Sequence, residues 1–200
     1  MPIFEIKQNK ILFIHIPKTG GSSIKDWLAS QTLMYLYNEN PNHHRLLRTS
    51  PQHLSIRTIK ELFGESIWSW SFAIIRNPYE KMESEFFYRC RQPNDYQYFS
   101  QWLIEYLNQY QDDPFILDNH LRPQNYFVDK SVMLFKFEHS IEVVVNEISR
   151  KFNLPVPSNL SQNRVEAAPR KTVIWTQEAR KLFNAQYALD FEFFDYEMVK

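Results

Sequence analysis

The sequence predicts an α/β domain in which a central, mainly parallel β-sheet is flanked by helices. Three observations predict it: short apolar runs, helical patterns between them, and an ordinary globular composition of 44% hydrophobic and 23% charged residues. Runs with few polar residues are typical of strands that helices cover on both faces. The 200 residues suffice for one sizeable core, so residues 1–200 are expected to form a single domain.

The predicted strands and helices alternate along the chain. "KILFIHI" is the clearest strand, and three similar runs follow it. Strands are predicted at residues 10–16, 33–37, 70–76 and 132–138. Helices are predicted at residues 23–30, 55–63, 78–91, 96–110, 141–152 and 176–188. This alternation indicates parallel strands joined by helical crossovers.

Charge and cysteine content exclude several classes of protein. The formal net charge is zero, whereas a general nucleic-acid binder usually has a basic excess. The single cysteine, Cys90, excludes an internal disulfide and a cysteine zinc site. Glu5 interrupts the apolar core that a signal peptide would need, and no run has the length of a membrane span. A cytoplasmic protein without a membrane span is expected.

A glycine-rich turn joins the first long strand to the first helix. The chain has three glycines, and two of them are adjacent in "PKTGGSS", residues 17–23. Glycines allow successive backbone N–H groups to face an anion, and the following helix adds its positive dipole. Ser23 and Asp26 fit a capping box at the start of that helix. The turn is predicted to bind a phosphate-like group; the alternative is an ordinary strand-to-helix connection.

The order of residues in this turn differs from that of the common nucleotide hydrolases. In those proteins the lysine follows the second glycine and directly precedes Ser or Thr. Here Lys18 precedes both glycines and approaches the anion from the strand side. We therefore expect a P-loop-like, three-layer domain that lacks the standard ATPase or GTPase motif.

A second anion site is predicted in "AIIRNPYEKMESEFF". A strand ends at Arg76, Asn77 can cap a helix that begins at Pro78, and Glu80 completes a capping box. Ser84 lies two helical turns further on, on the same face as the helix start. Arg76 and Ser84 could share one phosphate; the alternative is a surface arginine beside a well-capped helix. Both sites follow strands, where parallel sheets bind ligands.

These motifs resemble those of sulfotransferases that use 3′-phosphoadenosine-5′-phosphosulfate (PAPS). "FIHIPKTGGSSI" resembles their 5′-phosphosulfate loop, and "IIRNPYEKMESEFF" resembles their 3′-phosphate element. The resemblance is closest to the branch with heparan sulfate 2-O-sulfotransferase, uronyl sulfotransferases and small bacterial relatives. It extends more weakly to "HLSIRTIKELFG", "DNHLRPQNYFV", "FKFEHS" and "YALDFEFFDY".

The resemblance implies a ligand with two separate anionic groups, as the two predicted sites do. It implies that Arg76 and Ser84 hold the 3′-phosphate of PAPS, and that the first motif holds the 5′ end. The residues of that motif are Pro17, Lys18, Thr19, Gly20, Gly21, Ser22 and Ser23. Neither motif has a carboxylate placed for magnesium, so no metal site is predicted.

Sulfuryl transfer to a hydroxyl requires a base and a stabilised leaving group. Lys18 suits the leaving phosphate, because a fixed positive charge acts most strongly where negative charge develops. A histidine suits the base, since its pKa is close to neutral pH. His53 is predicted as the base, because it opens an "HLS" helix where the resembling branch has its catalytic histidine. His43, His44 and His120 stay open as alternatives for the base, and the remaining histidines are His15 and His139.

Further polar groups have several interpretations. In "HLRPQ", His120, Arg122 and Gln124 could orient an acceptor or support the donor pocket, or the segment could be a structural turn. The irregular segment 153–172 could close over a nucleotide, bind an anionic acceptor, or form a solvated loop.

Aromatic residues recur at three- and four-residue steps in one predicted helix. This spacing favours a helix face packed into the core over a carbohydrate-stacking platform. The residues are Tyr96, Phe99, Trp102, Tyr106 and Tyr110.

The sequence thus predicts a PAPS-dependent sulfotransferase that acts on a hydroxyl, with a saccharide as the favoured acceptor. Two alternatives stay open: a nucleotide-dependent phosphotransferase, and a non-catalytic protein that binds a phosphonucleotide. Nothing in the sequence indicates an oligomeric state.

Overall fold

A computed structural model describes residues 1–35, 47–90, 95–157 and 172–199. In these ranges the chain forms five strands and six α-helices. The strands are β1 (Ile3–Ile6), β2 (Asn9–Ile14), β3 (Leu33–Tyr35), β4 (Trp70–Ile75) and β5 (Met133–Lys136). The helices are α1 (Gly21–Ala29), α2 (Ile56–Phe63), α3 (Pro78–Arg89), α4 (Phe99–Asp112), α5 (Ile141–Phe152) and α6 (Gln177–Phe193).

The strands form one mixed sheet in the order β3-β1-β2-β4-β5. β2, β4 and β5 are parallel, whereas β1 runs antiparallel to both β2 and β3. The predicted α/β fold is confirmed, but the expectation of a mainly parallel sheet is wrong. The reason is the tight connection between β1 and β2, where Lys7 has a φ of 56°. Two strands joined directly by a tight turn must pair antiparallel.

The sequence did not predict strand β1, because its apolar run is short and is interrupted by Glu5. The side chain of Glu5 lies at the sheet surface, where its carboxylate accepts a hydrogen bond of 2.8 Å from the Tyr35 hydroxyl of β3. The flanking residues Ile3, Phe4 and Ile6 are buried. A single polar residue at the solvated position of a strand is compatible with one buried face.

Helices cover both faces of the sheet, so the three-layer arrangement is confirmed. On one face, Ile11 and Phe13 of β2 pack with residues of α1 and α5. On the other face, the intervening Leu12 and Ile14 pack with residues of α2. Alternate residues of one strand therefore enter two separate cores, which is why the run is apolar almost throughout.

A third core lies among α3, α4 and α6. Phe99, Trp102, Tyr106 and Tyr110 of α4 belong to it, which confirms the interpretation of the aromatic residues as a packed helix face. The side chain of Tyr96 lies outside the described residues. Over the ranges that the structure describes, none of the helices combines the length and the apolar character that crossing a membrane requires.

Candidate active site

The glycine turn lies at the carboxyl end of β2, as the sequence predicts. Gly20 precedes α1 in the left-handed conformation, with a φ of 82°. A Cβ atom on Gly20 would lie 2.6 Å from Cε2 of Phe137, and one on Gly21 would lie 2.5 Å from Cδ2 of His15. Both positions therefore require glycine for steric reasons. The Thr19 hydroxyl donates to the Ile16 carbonyl at 3.0 Å and closes the turn.

The predicted capping box of Ser23 and Asp26 is wrong. Helix α1 begins at Gly21, two residues earlier than expected, and Asp26 forms an ion pair of 3.0 Å with Lys25. The N-cap residue is Gly20, which has no side chain to accept from the first turn. The N–H groups at the start of α1 can therefore serve an anion.

Arg76 lies at the carboxyl end of β4, beside the glycine turn. Its Nη1 atom is 3.4 Å from the carbonyl oxygen of Lys18, so the two predicted anion sites adjoin each other. Its Nη2 atom pairs with Glu80 at 3.0 Å, and its guanidinium lies 4.6 Å from the centre of the Phe137 ring. The Nε atom is buried and has no hydrogen-bond partner among the described residues.

The start of α3 differs in part from the prediction. Asn77 caps it as expected, since its Oδ1 accepts from the N–H of Tyr79 at 3.0 Å. The Glu80 half of the capping box is wrong, because Glu80 pairs with Arg76 and the Asn77 N–H donates to Glu138 at 2.7 Å. Ser84 lies partly buried on α3. That it shares a phosphate with Arg76 stays a prediction.

His53 is buried next to a second histidine, His15. It ends a short 3-10 turn, Pro51–His53, rather than opening a helix; α2 begins three residues later, capped by Ser55. The Nδ1 atom of His53 is 3.1 Å from the His15 carbonyl oxygen. Because a carbonyl only accepts, Nδ1 carries the proton and the Nε2 lone pair is left for other chemistry. Burial, together with the neighbouring His15 and His120, lowers the pKa of His53 well below its ordinary value.

His120 stands against His53, with ring centres 4.9 Å apart and ring planes almost perpendicular. Its Nδ1 atom is 2.7 Å from a carboxylate oxygen of Glu85, whose side chain is fully buried. Burial raises the pKa of Glu85, but hydrogen bonds from His120 and Arg89 outweigh it and lower the value to about 2. Glu85 is therefore a carboxylate that fixes the orientation of the imidazole.

Tyr88 connects the histidines to the glycine turn. Its ring is stacked with His120 at a centre distance of 6.3 Å, and the Nζ atom of Lys18 lies 4.1 Å from its centre. Lys18 itself has a φ of 65°, an uncommon conformation for a residue with a side chain. The predicted leaving-group residue and the predicted base thus belong to one cluster.

A left-handed turn holds the histidine pair in place. Leu117, Asp118 and Asn119 have φ values of 55°, 58° and 66°. Asp118 accepts from the Thr49 hydroxyl at 2.6 Å and from the N–H of Ser50 at 2.5 Å. Asn119 donates from Nδ2 to the His53 carbonyl at 3.0 Å. Consecutive left-handed residues cost conformational energy, and such strain concentrates at functional sites.

Residues of the "HLRPQ" segment form hydrogen bonds and ring contacts with residues around the site. Gln124 is fully buried and its amide binds the backbone of Arg76. Gln124 therefore fixes the backbone at Arg76; a role of the segment in donor or acceptor binding stays a prediction. The guanidinium of Arg122 lies 4.2 Å from the centre of the Tyr126 ring. Lys81 donates to the His120 carbonyl at 2.7 Å, and burial lowers its pKa to about 8.

Some predicted groups cannot be placed. His43 and His44 lie outside the described residues, as do residues 158–171 of the irregular segment 153–172. The sequence analysis missed Glu85, Asp118 and Asn119. The only local signal for two of them was the dipeptide Asp-Asn, since these residue types adopt left-handed conformations more readily than most.

Fold and geometry together define a class: an α/β protein in which a glycine turn and an arginine lie at the carboxyl edge of the parallel strands, with a buried histidine pair nearby. A family model narrows this class, because the model of the sulfotransferase family matches residues 2–197. The chain therefore belongs to the sulfotransferase family and is a transferase whose general chemistry is sulfuryl transfer. Comparison with curated proteins and with solved structures gives no match.

Proposed function

We propose that the protein transfers the sulfuryl group of PAPS to a hydroxyl of an acceptor, with a saccharide as the favoured acceptor. The position of Lys18 carries this proposal. Its carbonyl oxygen is 3.4 Å from Arg76 on one side, and its Nζ lies over Tyr88, which stacks on His120, on the other. One residue thus adjoins both the second anion site and the histidine pair.

The donor is proposed to bind along the carboxyl edge of the sheet. Its 5′-phosphosulfate would contact the turn of residues 17–23, where the N–H groups at the start of α1 favour an anion. Its 3′-phosphate would contact Ser84 and Arg76, whose buried Nε has no hydrogen-bond partner in the part of the chain that the structure describes. An arginine fork and a hydroxyl together suit a phosphate.

A cavity beside Arg76 is a candidate for the nucleoside. Its volume is about 430 Å³, and its lining combines apolar side chains with the polar groups of Lys136 and His139. It includes Ile75 of β4, the residue that directly precedes Arg76. Apolar walls with few polar groups are typical of small-molecule pockets.

The proposed reaction is a direct displacement at sulfur. The acceptor oxygen forms a bond to sulfur while the bond from sulfur to the 5′-phosphate oxygen breaks. The Nε2 lone pair of His53 takes the acceptor proton, and Lys18 stabilises the negative charge that develops on the leaving phosphate. Burial lowers the pKa of His53, so the imidazole is neutral and its Nε2 lone pair is available in the resting protein.

The two alternatives make different demands. A nucleotide-dependent phosphotransferase would use the same turn but would respond to ATP and magnesium. A non-catalytic binding protein would have no need of an oriented histidine pair beside Lys18, so the cluster described above favours an enzyme. We propose neither a nucleic-acid partner nor a metal requirement, and we propose membership of the uronyl and heparan sulfate 2-O-sulfotransferase branch.

Thermal unfolding with nucleotides tests the donor site. The product 3′-phosphoadenosine-5′-phosphate (PAP) is expected to raise the unfolding midpoint, because a ligand at about 100 times its Kd stabilises by about 2.7 kcal/mol. ATP at the same concentration should raise it less. Incubation with PAPS carrying labelled sulfur and a panel of sugars then identifies the acceptor. A larger shift with ATP and magnesium, and none with PAP, would contradict the proposal.

A further inference from the structure

Three side chains with metal-ligand atoms converge at the histidine pair. His53, Asp118 and His120 each offer one such atom, and these atoms lie within 4.8 Å of one another. His53 comes from the turn before α2, Asp118 belongs to the left-handed turn that follows α4, and His120 directly follows that turn. Two imidazoles and one carboxylate form a ligand set that is common at zinc sites.

A second partner orients each of the three ligands. The Nδ1 atom of His53 donates to the His15 carbonyl, and that of His120 donates to Glu85. Both Nε2 atoms are therefore the acceptor nitrogens of their rings. Metal-binding histidines almost always donate their other N–H to a carbonyl or a carboxylate, as these two do.

Asp118 retains one oxygen for a metal. Its Oδ1 atom accepts two hydrogen bonds, from the Thr49 hydroxyl and from the Ser50 N–H. Its Oδ2 atom accepts one, from the Ser50 hydroxyl at 2.5 Å. A carboxylate oxygen has two lone pairs, so Oδ2 can accept this bond and also coordinate an ion.

The spacing requires only a small adjustment. Ligands 2.0–2.1 Å from a tetrahedral zinc ion lie about 3.4 Å from one another. In the structure the three ligand atoms lie within 4.8 Å of one another. Rotation of one imidazole ring moves its nitrogen by roughly the difference between these two distances. Three protein ligands would leave one coordination position for water or for another ligand.

We propose that His53, Asp118 and His120 bind a divalent transition metal, with Zn²⁺ or Co²⁺ favoured over Mg²⁺. Binding itself is independent of the donor nucleotide. One consequence rests on the proposed function: a bound ion occupies the Nε2 lone pair that His53 needs as a base, so the ion inhibits transfer. The metal is a regulator of the site rather than a cofactor of the reaction.

Titration of the chelator-treated protein with Co²⁺ tests the site. Binding of one ion is expected, with visible d–d absorption typical of four- or five-coordinate Co²⁺, and Zn²⁺ should displace it. His120→Ala and Asp118→Asn should each weaken binding at least about 10-fold, and Glu85→Gln should weaken it less. His139→Ala and Cys90→Ser are matched controls, since these groups lie elsewhere in the structure, and they should bind as the unchanged protein does.

Two results would overturn the proposal: no Co²⁺ absorption, or absorption that survives in both His120→Ala and Asp118→Asn. Loss of binding in His43→Ala or His44→Ala alone would likewise assign the ion to another place. Circular dichroism shows whether each variant is folded, and Glu85→Gln provides a further test outside the ligands themselves. PAP binding is measured in parallel, so that Co²⁺ binding without PAP binding refutes the donor site and leaves the metal site standing.

Discussion

Gln124 holds the backbone of Arg76 with both ends of its side-chain amide. The N–H of Arg76 donates to Oε1 of Gln124 at 2.9 Å, and Nε2 of Gln124 donates to the Arg76 carbonyl at 2.7 Å. Arg76 follows the last residue of β4, so its backbone has lost the regular pairing of the sheet. The side-chain amide of a buried glutamine thus makes the two backbone hydrogen bonds that a neighbouring strand would otherwise make. These bonds fix the position of the Arg76 backbone and therefore of its side chain.

Replacement of this glutamine should affect both stability and donor binding. Gln124→Ala leaves the N–H and the carbonyl of Arg76 without their partner, which costs about 1–3 kcal/mol for each buried group that remains unsatisfied. Urea unfolding measures this loss, and titration with PAP measures the weaker binding that follows from a displaced Arg76. Gln109→Ala removes an exposed glutamine from α4 and is the matched control. Equal stability of the two variants would contradict this role.

Replacement by alanine should destabilise the protein more at Gly20, in the glycine turn, than at Gly64, the third glycine. Gly20→Ala combines a positive φ with a contact of 2.6 Å to Phe137, whereas Gly64→Ala has a positive φ of 75° and nothing within 4 Å. Gly20 has a ψ of 9° and lies in the left-handed region, where a side chain costs about 1–2 kcal/mol. Gly64 has a ψ of 174° and lies in a region open almost only to glycine, where the cost is about 1–3 kcal/mol. Overpacking adds about 1–3 kcal/mol in Gly20→Ala alone. Gly20→Ala is therefore expected to lose more free energy of unfolding in total than Gly64→Ala, and urea unfolding of the two variants measures both losses.

Donor binding separates the glycines further. Gly64 follows α2, away from the turn, so Gly64→Ala should bind PAP as the unchanged protein does. Gly20→Ala should bind it more weakly, because the added Cβ moves the turn. Unchanged PAP affinity in a folded Gly20→Ala protein would show that this turn does not hold the nucleotide.

Local patterns were sufficient to predict the framework of the site. Lys18, Arg76 and His53 each follow or precede a recognisable element, and the structure brings them to one edge of the sheet. The helical spacing of aromatic residues likewise predicted the face of α4 that packs in the core. Each of these inferences needs only a pattern within about two helical turns.

The supporting contacts could not be predicted because they join distant segments. Glu85 and His120 are hydrogen-bonded although they are 35 residues apart in the sequence, and Asn119 binds the His53 carbonyl from a distance of 66 residues along the chain. Neither pair leaves a periodic trace in the sequence. The antiparallel strand β1 was missed for a related reason, since its pairing with β3 is set by the sheet rather than by its own four residues.

Lys18 should matter for turnover more than for the stability of the fold. Lys18→Ala removes the charge proposed to stabilise the leaving phosphate, and loss of one such group typically costs about 10²–10³-fold in rate. Release of PAP from PAPS in the presence of an identified acceptor measures it. Lys10→Ala is the matched control, because Lys10 is an exposed lysine near the start of β2, at the opposite end of that strand from the glycine turn. A Lys18→Ala protein with normal turnover would exclude the assigned role.

His53 should be required for transfer but not for donor binding. His53→Ala removes the proposed base, and general-base catalysis typically contributes about 10²–10⁴-fold. PAP should still raise the thermal midpoint, because the turn at residues 17–23 and Arg76 remain. Lys10→Ala, which removes an exposed side chain from the start of β2, should keep normal turnover and is the control.

The histidine pair allows the base to be assigned between its two members. Glu85 can stabilise a proton on His120, whereas the Nδ1 partner of His53 is a carbonyl, which carries no charge. If His53 is the base, His53→Ala should lower turnover far more than Glu85→Gln does. If His120 takes the proton instead, Glu85→Gln should lower turnover strongly, because its amide carries no charge to stabilise the imidazolium. A larger loss in Glu85→Gln than in His53→Ala would therefore move the base to His120 and leave His53 to orient the acceptor.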